Sequence, residues 1–498
     1  MIKDKIKEVQ LAKIIIIGAG VSGLSAGIYA QMHGHNATIY ERHFKAGGNL
    51  TGWDRCGYHI DNCIHWLTGT NPVTKLYKTW ESLGALGDVE VHQGESLFTF
   101  EKDGQSLSLG QSIDKFEADM LALSPSDKKE IKAFIRAIKA FQRINGIAGK
   151  HNEKKSTSAQ KIFAIPAIVG YYGLSTGDLA KRFSHPVIQG FIESMMTDYF
   201  SALALVMVFA TFTGGNGGIP EGSSEAMAER MTNRFLSLGG KLHLKRGVAK
   251  INTGEDCAES VTLEDGSVEK ADYVIVATDP AVTFSKLLDK KLMPKKLKKQ
   301  YEDKKMTRFS SYHCAYACDS AELPFHGDMV IEVPEQYRDV VPADYFLLRE
   351  FSHEKSFAPE GKNILQTMTY CKEDEAKRFI SLSRDKKAYK ERKQKIATAI
   401  MEIIANKYPE LNGKLDCLDV WTPATYRRFV NSEIGSWMSF ALPPRTLPLM
   451  MKNKVKGLKN VILATQWLQA PGGLPIAASS GINAIKTILK REKRRSAG

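Results

Sequence analysis

The residues Lys13-Ile14-Ile15-Ile16-Ile17-Gly18-Ala19-Gly20-Val21-Ser22-Gly23-Leu24 constrain this chain more than any other stretch, because an all-apolar, β-branched run feeds directly into a GxGxxG turn. A second apolar run, Ala37 to Tyr40, follows after room for one helix, and it ends in Glu41. Strand, glycine turn, helix, second strand and terminal carboxylate together specify a βαβ unit that binds a dinucleotide. Gly18 allows the tight turn, Gly20 leaves the backbone open to a pyrophosphate, and Gly23 lets the helix lie close to the strand. The N–H groups at the positive end of that helix meet the pyrophosphate. Glu41 accepts hydrogen bonds from both ribose hydroxyls and repels a 2′-phosphate, which disfavours NADP.

The residues after Glu41 extend this reading. Arg42-His43-Phe44-Lys45-Ala46-Gly47-Gly48-Asn49 brings a second glycine pair close to the ribose-binding acid, which suits a dinucleotide lying along the chain. Three more stretches follow: Gly218-Ile219-Pro220-Glu221-Gly222-Ser223-Ser224, then Ala271 through Pro280, then Asn460 through Gly481 with its Pro471-Gly472-Gly473 turn. In this order, over nearly the whole chain, the four resemble the signatures of the phytoene desaturase-like flavoproteins, which share the fold of amine oxidases. Two positions depart from the pattern. Ser223 stands where a glycine is common, and Gln466 stands where many relatives carry an acid. The resemblance implies FAD, held without a covalent link because no histidine or cysteine attachment motif adjoins the unit. Its contacts are expected from Gly18, Ala19, Gly20, Ser22, Gly23, Glu41, Arg42, Gly47, Gly48 and Asn49, from Val248, and from Gln466, Gly473, Leu474 and Ile476. A helix from near Ile476 to about Lys490 is expected to point its N-terminus at the pyrimidine edge of the flavin, where negative charge accumulates on reduction.

A chain of 498 residues exceeds what one core supports. The expected fold is α/β, a Rossmann-type FAD-binding domain of amine oxidase and phytoene desaturase-like form with a discontinuous α+β substrate domain. Residues 1–110, 215–290 and 455–498 are assigned to the first, and 111–214 and 291–454 to the second. Within the first insertion, Ser124-Pro125-Ser126-Asp127 opens a helix carrying Ile131, Phe134, Ile135, Ile138 and Phe141 at helical spacing. The second insertion mixes a basic helical stretch, strand-like runs at 344–349 and 364–370, and a long helix from about Lys386 to Lys407. Gly214 to Gly218 lacks the strand and spacing of a second dinucleotide turn, so no dedicated NAD(P)H domain is expected and reducing equivalents pass through the flavin site.

Gly57-Tyr58-His59-Ile60-Asp61-Asn62-Cys63-Ile64-His65-Trp66-Leu67-Thr68-Gly69 is similar to the flavin-proximal strand of the family. Its His65-Trp66 pair resembles the retinol saturase branch, with Cys63 replacing a small glycine. His65 is the catalytic candidate, through a hydrogen bond to the flavin or delivery of a proton to a substrate carbon. A core histidine satisfied by backbone is the competing reading. His59 and Asp61 are weaker candidates.

The seven cysteines are scattered, without CxxC spacing, and read as reduced thiols of a cytoplasmic protein, with no metal expected. The balance of 69 basic to 55 acidic residues leaves +14, concentrated between Lys290 and Arg308 and at the C-terminus. No nucleic-acid recognition module accompanies the charge. Attraction to anionic lipid is the functional alternative to a solvated face, and 162–174, flanked by Lys154, Lys155 and Lys161, is apolar enough to lie in a membrane interface. The run from Phe200 to Phe212 is shorter than the ~18 residues of a spanning helix and reads as a buried helix.

The reading is an FAD-dependent oxidoreductase acting on carbon–carbon double bonds of a long apolar, carotenoid- or retinoid-like substrate, as a saturase or desaturase. The Phe200 to Phe212 helix, Trp437 to Pro444, and Trp467-Leu468 would wall its tunnel. A redox-neutral polyene isomerase, an amine oxidase-like enzyme, and a non-catalytic lipid or prenyl carrier are the alternatives. The electron donor or acceptor and the oligomeric state are left open.

Overall fold

Four consecutive isoleucines cannot be half-exposed cheaply, since burying each is worth roughly 1.5–3 kcal/mol. Accordingly β1 (Lys13–Ile17) lies at the centre of a five-stranded parallel sheet. The computed structural model describes residues 12–144, 164–195, 197–319, 322–448 and 450–497. The opening residues and Lys154, Lys155, Lys161, Ile162 and Phe163, singled out above, lie outside these. β1 pairs with β2 (Asn36–Tyr40) on one side and with Tyr273–Val276 on the other, and the strands Lys241–His243 and Val461–Leu463 complete the sheet. The helix α1 (Val21–Met32) covers one face together with the C-terminal helix Leu474–Ala497, which is longer at both ends than its pattern suggests. These two helices touch closely: a Cβ at Gly481 would lie 2.2 Å from the Ser22 carbonyl oxygen.

A second, seven-stranded sheet runs in the order Leu415–Trp421, Phe309–Cys318, Asn363–Lys372, Tyr345–Glu350, Met329–Glu332, Ser96–Lys102, Gln105–Gly110. This corrects one expected boundary. The hairpin Ser96–Gly110, assigned above to the nucleotide-binding part, pairs in parallel with Met329–Glu332 and so joins the other sheet. The reason is packing. Phe98 and Phe100 require an apolar layer, and the helix Pro186–Met195 supplies it, with Phe98 stacked on Phe191 at 4.4 Å and Phe100 against Gly190.

Lys128–Gln142 buries Ile131, Phe134, Ile135, Ile138 and Phe141, as its spacing predicts, and packs on the helix Ala202–Thr213 through Phe134 and Phe209. That second helix is buried on nearly every side. The helix Lys386–Lys407 matches its expected bounds and covers the far face of the seven-stranded sheet. Among the described residues, no helix is long and apolar enough to cross a membrane.

Candidate functional site

The βαβ unit forms one end of a cavity of about 740 Å³. Gly18, Gly20, Ser22, Glu41, Arg42, Gly47, Gly48, Asn49 and Val248 line this end, and Gln466, Gly473, Leu474 and Ile476 face it from the C-terminal loop. Ala19 and Gly23 stand behind the lining. A Cβ at Gly23 would lie 1.9 Å from the Gly18 carbonyl oxygen, so its hydrogen is what lets α1 meet β1. At Gly20 the situation is reversed: the nearest atom to an added Cβ is 3.9 Å away, so a side chain there would project into the cavity. Gly20 is also the N-cap of α1, which no side chain caps. An uncapped helix N-terminus beside open space is an anion site.

Glu41 does more than its position suggests. One carboxylate oxygen accepts the Ala19 N–H and the other the His43 N–H, each at 2.8 Å. Burial pushes the carboxyl upward while those two N–H groups and Arg42 hold it back. The acid therefore braces the glycine turn to the following loop and still presents lone pairs to the cavity.

The C-terminal loop is held by Gln466. Its oxygen accepts the Gly473 N–H at 2.7 Å and its nitrogen donates to the Trp437 carbonyl at 3.0 Å. The amide expected to contact the cofactor is thus engaged by backbone, although its residue lines the cavity. A carboxylate satisfies the first bond but not the second, and it would set negative charge against the Trp437 carbonyl. Gln466→Glu, which restores the acid common among relatives, is therefore expected to lower stability by about 1–3 kcal/mol, checked by thermal unfolding with and without FAD. An unchanged melting temperature would show that the amide donor is not used.

Four buried polar atoms on this lining have no hydrogen-bond partner among the described residues: His43 Nε2, Asn49 Oδ1, Ser436 Oγ and Trp437 Nε1. Each such group costs about 1–3 kcal/mol if nothing meets it. His43 and Ser436 carried no signal in the sequence, because their isolation arises only when the loops converge.

The mid-chain signature reaches the site indirectly. Asp61 accepts the Ser224 N–H and the Ser224 hydroxyl, both at 2.8 Å, and Ser224 Oγ accepts the Ile64 N–H at 2.8 Å. Asp61 thereby shapes the loop that carries His65. His59 turns instead to Asp54 at 2.8 Å. Neither Asp61 nor His59 is part of the cavity lining. Ser223 adopts φ +49°, a left-handed conformation, which explains why glycine suits that position.

His65 lies between the strands Tyr58–Asp61 and Leu67–Thr68, in a loop and not in the strand its pattern predicts. It lines the cavity. Burial, the Arg349 guanidinium and then His313 hold its pKa well below the ordinary histidine range. That direction favours the neutral imidazole, which keeps one donor and one acceptor for the hydrogen-bonding role expected of it. Cys63, also on the wall, is pushed up to about 12 by burial and by Asp61 and stays a thiol.

The sequence reading missed a second ionisable group on this wall. Asp328 lines the cavity, with Arg349 Nε 3.2 Å from its carboxylate, and Arg349 also donates to the Ile64 carbonyl at 3.0 Å. Burial raises Asp328 to about 6 despite the guanidinium.

Much of the remaining cavity lining is apolar, with Thr68, Ser194, Thr211, Tyr345 and Tyr370 set among it. Ala204, Met207 and Val208 from the buried helix, Trp66, Leu97 and Phe98, and Val330, Leu347 and Met368 from the large sheet form its walls. Trp437, Met438, Leu442 and Trp467 contribute as expected, whereas Leu468 packs into the core.

A parallel-sheet nucleotide unit, a glycine cradle and a long cavity bridging to a second sheet define a flavin-dependent oxidoreductase. The profile of the flavin containing amine oxidoreductases matches residues 21–489, and the chain belongs to that family. It is 26% identical to prolycopene isomerase 2 of an Oncidium hybrid cultivar, over 89% of this chain and 77% of that one. It is 24% identical to the 4,4'-diaponeurosporene oxygenase of Staphylococcus aureus, over 97% and 99%. The fold matches cyclohexylamine oxidase from Brevibacterium oxydans with a TM-score of 0.58 at 14% identity, covering 97% of this chain and 99% of that one. The phytoene desaturase-like resemblance read from the four signatures stands, and the cofactor is FAD.

Proposed function

We propose that the protein acts on carbon–carbon double bonds of a long apolar polyene, adding or removing hydrogen. The observation that carries this reading is the apolar wall that the buried helix and the large sheet contribute to the cavity, which also holds His65 and Asp328. When bound, FAD accepts or supplies hydride. The chain's part is to hold it through the glycine cradle and Glu41, to align the polyene between Trp66 and Met207, and to keep water out. Asp328 is the group able to hold or release a proton close to neutral pH, and His65 orients what lies beside it. The intact glycine cradle and Glu41 favour an enzyme over a carrier.

One observation favours a second reading. Among the relatives is a protein named as an isomerase of a polyene, for which double-bond geometry changes and mass does not. Anaerobic incubation of added polyenes with the FAD-loaded protein, once with the flavin oxidised and once after its reduction, followed by mass spectrometry and chromatography, separates the two. Net hydrogenation or dehydrogenation, a change of two hydrogens in product mass, is the expected result. A product of unchanged mass and altered retention would assign isomerisation, and no reaction with any polyene would overturn the substrate class.

A further inference from the structure

The short helix Ile165–Tyr171 turns an uncharged face outward. Ile165, Pro166, Val169 and Gly170 are exposed, Val169 at 75%. Its end is tied to a second apolar stretch, because Tyr172 Oη donates to the Arg445 carbonyl at 2.5 Å and the Arg445 N–H donates to the Tyr172 carbonyl at 2.7 Å. Leu447, 47% exposed, and Met450, 37% exposed, belong to that stretch. The same loop reaches inward, since Leu442 and Pro448 line the cavity.

Basic residues flank the chain on either side of this loop. The Ala441 N–H donates to the Thr307 carbonyl at 2.8 Å, and the Tyr301 ring meets Phe440 edge-on at 5.0 Å. These contacts seat the helix Lys295–Glu302, with Lys295, Lys296 and Lys299 exposed, against the chain that enters the loop. Lys452 and Lys454, also exposed, follow where the loop leaves. A second copy of a chain with net charge +14 would bring these lysines together, whereas an anionic interface neutralises them.

We propose that this patch docks the protein on an anionic lipid bilayer, with Ile165, Val169, Leu447 and Met450 entering the interface and the lysines meeting headgroups. Entry of substrate from the bilayer past Pro448 rests on the polyene reading above. Docking does not, and it is measured without turnover.

The experiment is sedimentation of the FAD-loaded protein with vesicles of phosphatidylcholine alone and of phosphatidylcholine with phosphatidylglycerol. The parent is expected to bind the mixed vesicles preferentially, less so as salt rises. Val169→Asp/Leu447→Asp is expected to lose at least about tenfold in binding to either vesicle, and Lys295→Glu/Lys296→Glu/Lys299→Glu roughly a hundredfold on the anionic ones alone. Flavin absorbance of each variant verifies that it is folded. A parent that binds neither vesicle, or an apolar double variant that retains flavin and binds like the parent, overturns the proposal. So does a dimer of the parent in solution that Val169→Asp/Leu447→Asp abolishes.

Discussion

Replacing Glu41 with alanine is expected to weaken FAD binding and lower the unfolding temperature of the apoprotein together. The two effects share one cause. The carboxylate accepts the Ala19 and His43 N–H groups, so removing it strands one backbone donor in the glycine turn and one in the loop after Glu41, at about 1–3 kcal/mol each. The same deletion removes the acceptor that faces the ribose, for a further loss in FAD affinity of roughly 1.5–3 kcal/mol, the range for hydrogen bonds to a charged group. Glu41→Gln is a sharper probe, because its one oxygen can meet one N–H only by turning its own NH2 toward the other. It is expected to keep the shape of the side chain and still lose most of the stability. Flavin-fluorescence titration and thermal unfolding of the apoprotein measure the two losses separately. Weakened FAD binding with an unchanged apoprotein would mean that the turn does not depend on the acid. Unchanged affinity would mean that the ribose is held elsewhere.

The parts of the site that could be read from sequence are those whose cause is local. Gly18, Gly20 and Gly23 act within one turn, and Ile131 through Phe141 repeat within one helix, so spacing alone reveals them. The hairpin Ser96–Gly110 is different. Its strands carry no mark of their sheet, because their partner Met329–Glu332 lies far downstream and pairs in parallel. Gln466 misled for a related reason: the need for a donor comes from the Trp437 carbonyl, and only the folded loop brings that oxygen within 3.0 Å. Asp328 and Arg349 did leave a trace. Gly327-Asp328-Met329-Val330-Ile331 and Phe346-Leu347-Leu348-Arg349 each carry one charge at the edge of an apolar strand, of opposite sign. Two such charges in strands destined for one sheet require each other once buried.

That requirement gives the second large effect. Arg349→Met keeps much of the volume but leaves Asp328 buried without its cation, and the loss is expected to be about 3–5 kcal/mol near pH 8. Arg349→Lys should not rescue it, since Nε on Asp328, a second nitrogen on the Ile64 carbonyl and the guanidinium face 4.8 Å from Phe351 cannot all be met by one ammonium. The pH dependence identifies the cause. In the parent, Asp328 is raised from 3.8 to about 6, so the folded chain keeps this proton when the unfolded chain has released it. The stability that this proton confers is fully present below the unfolded value and fades as pH rises through the folded one, by about 3 kcal/mol at 1.36 kcal/mol per pH unit. Without Arg349 the carboxyl climbs further and the fading continues toward neutrality. The variant should therefore lie closest to the parent near pH 5, where its Asp328 is neutral, and furthest from it near pH 8. Adding Asp328→Asn to Arg349→Met removes the buried charge and should recover part of the loss at pH 8 while changing little at pH 5. Denaturant unfolding of the single and double variants at both pH values is the measurement. Equal losses for Arg349→Met at the two pH values would assign the cost to the packing of the guanidinium on Phe351, and the carboxylate would then have no need of its partner.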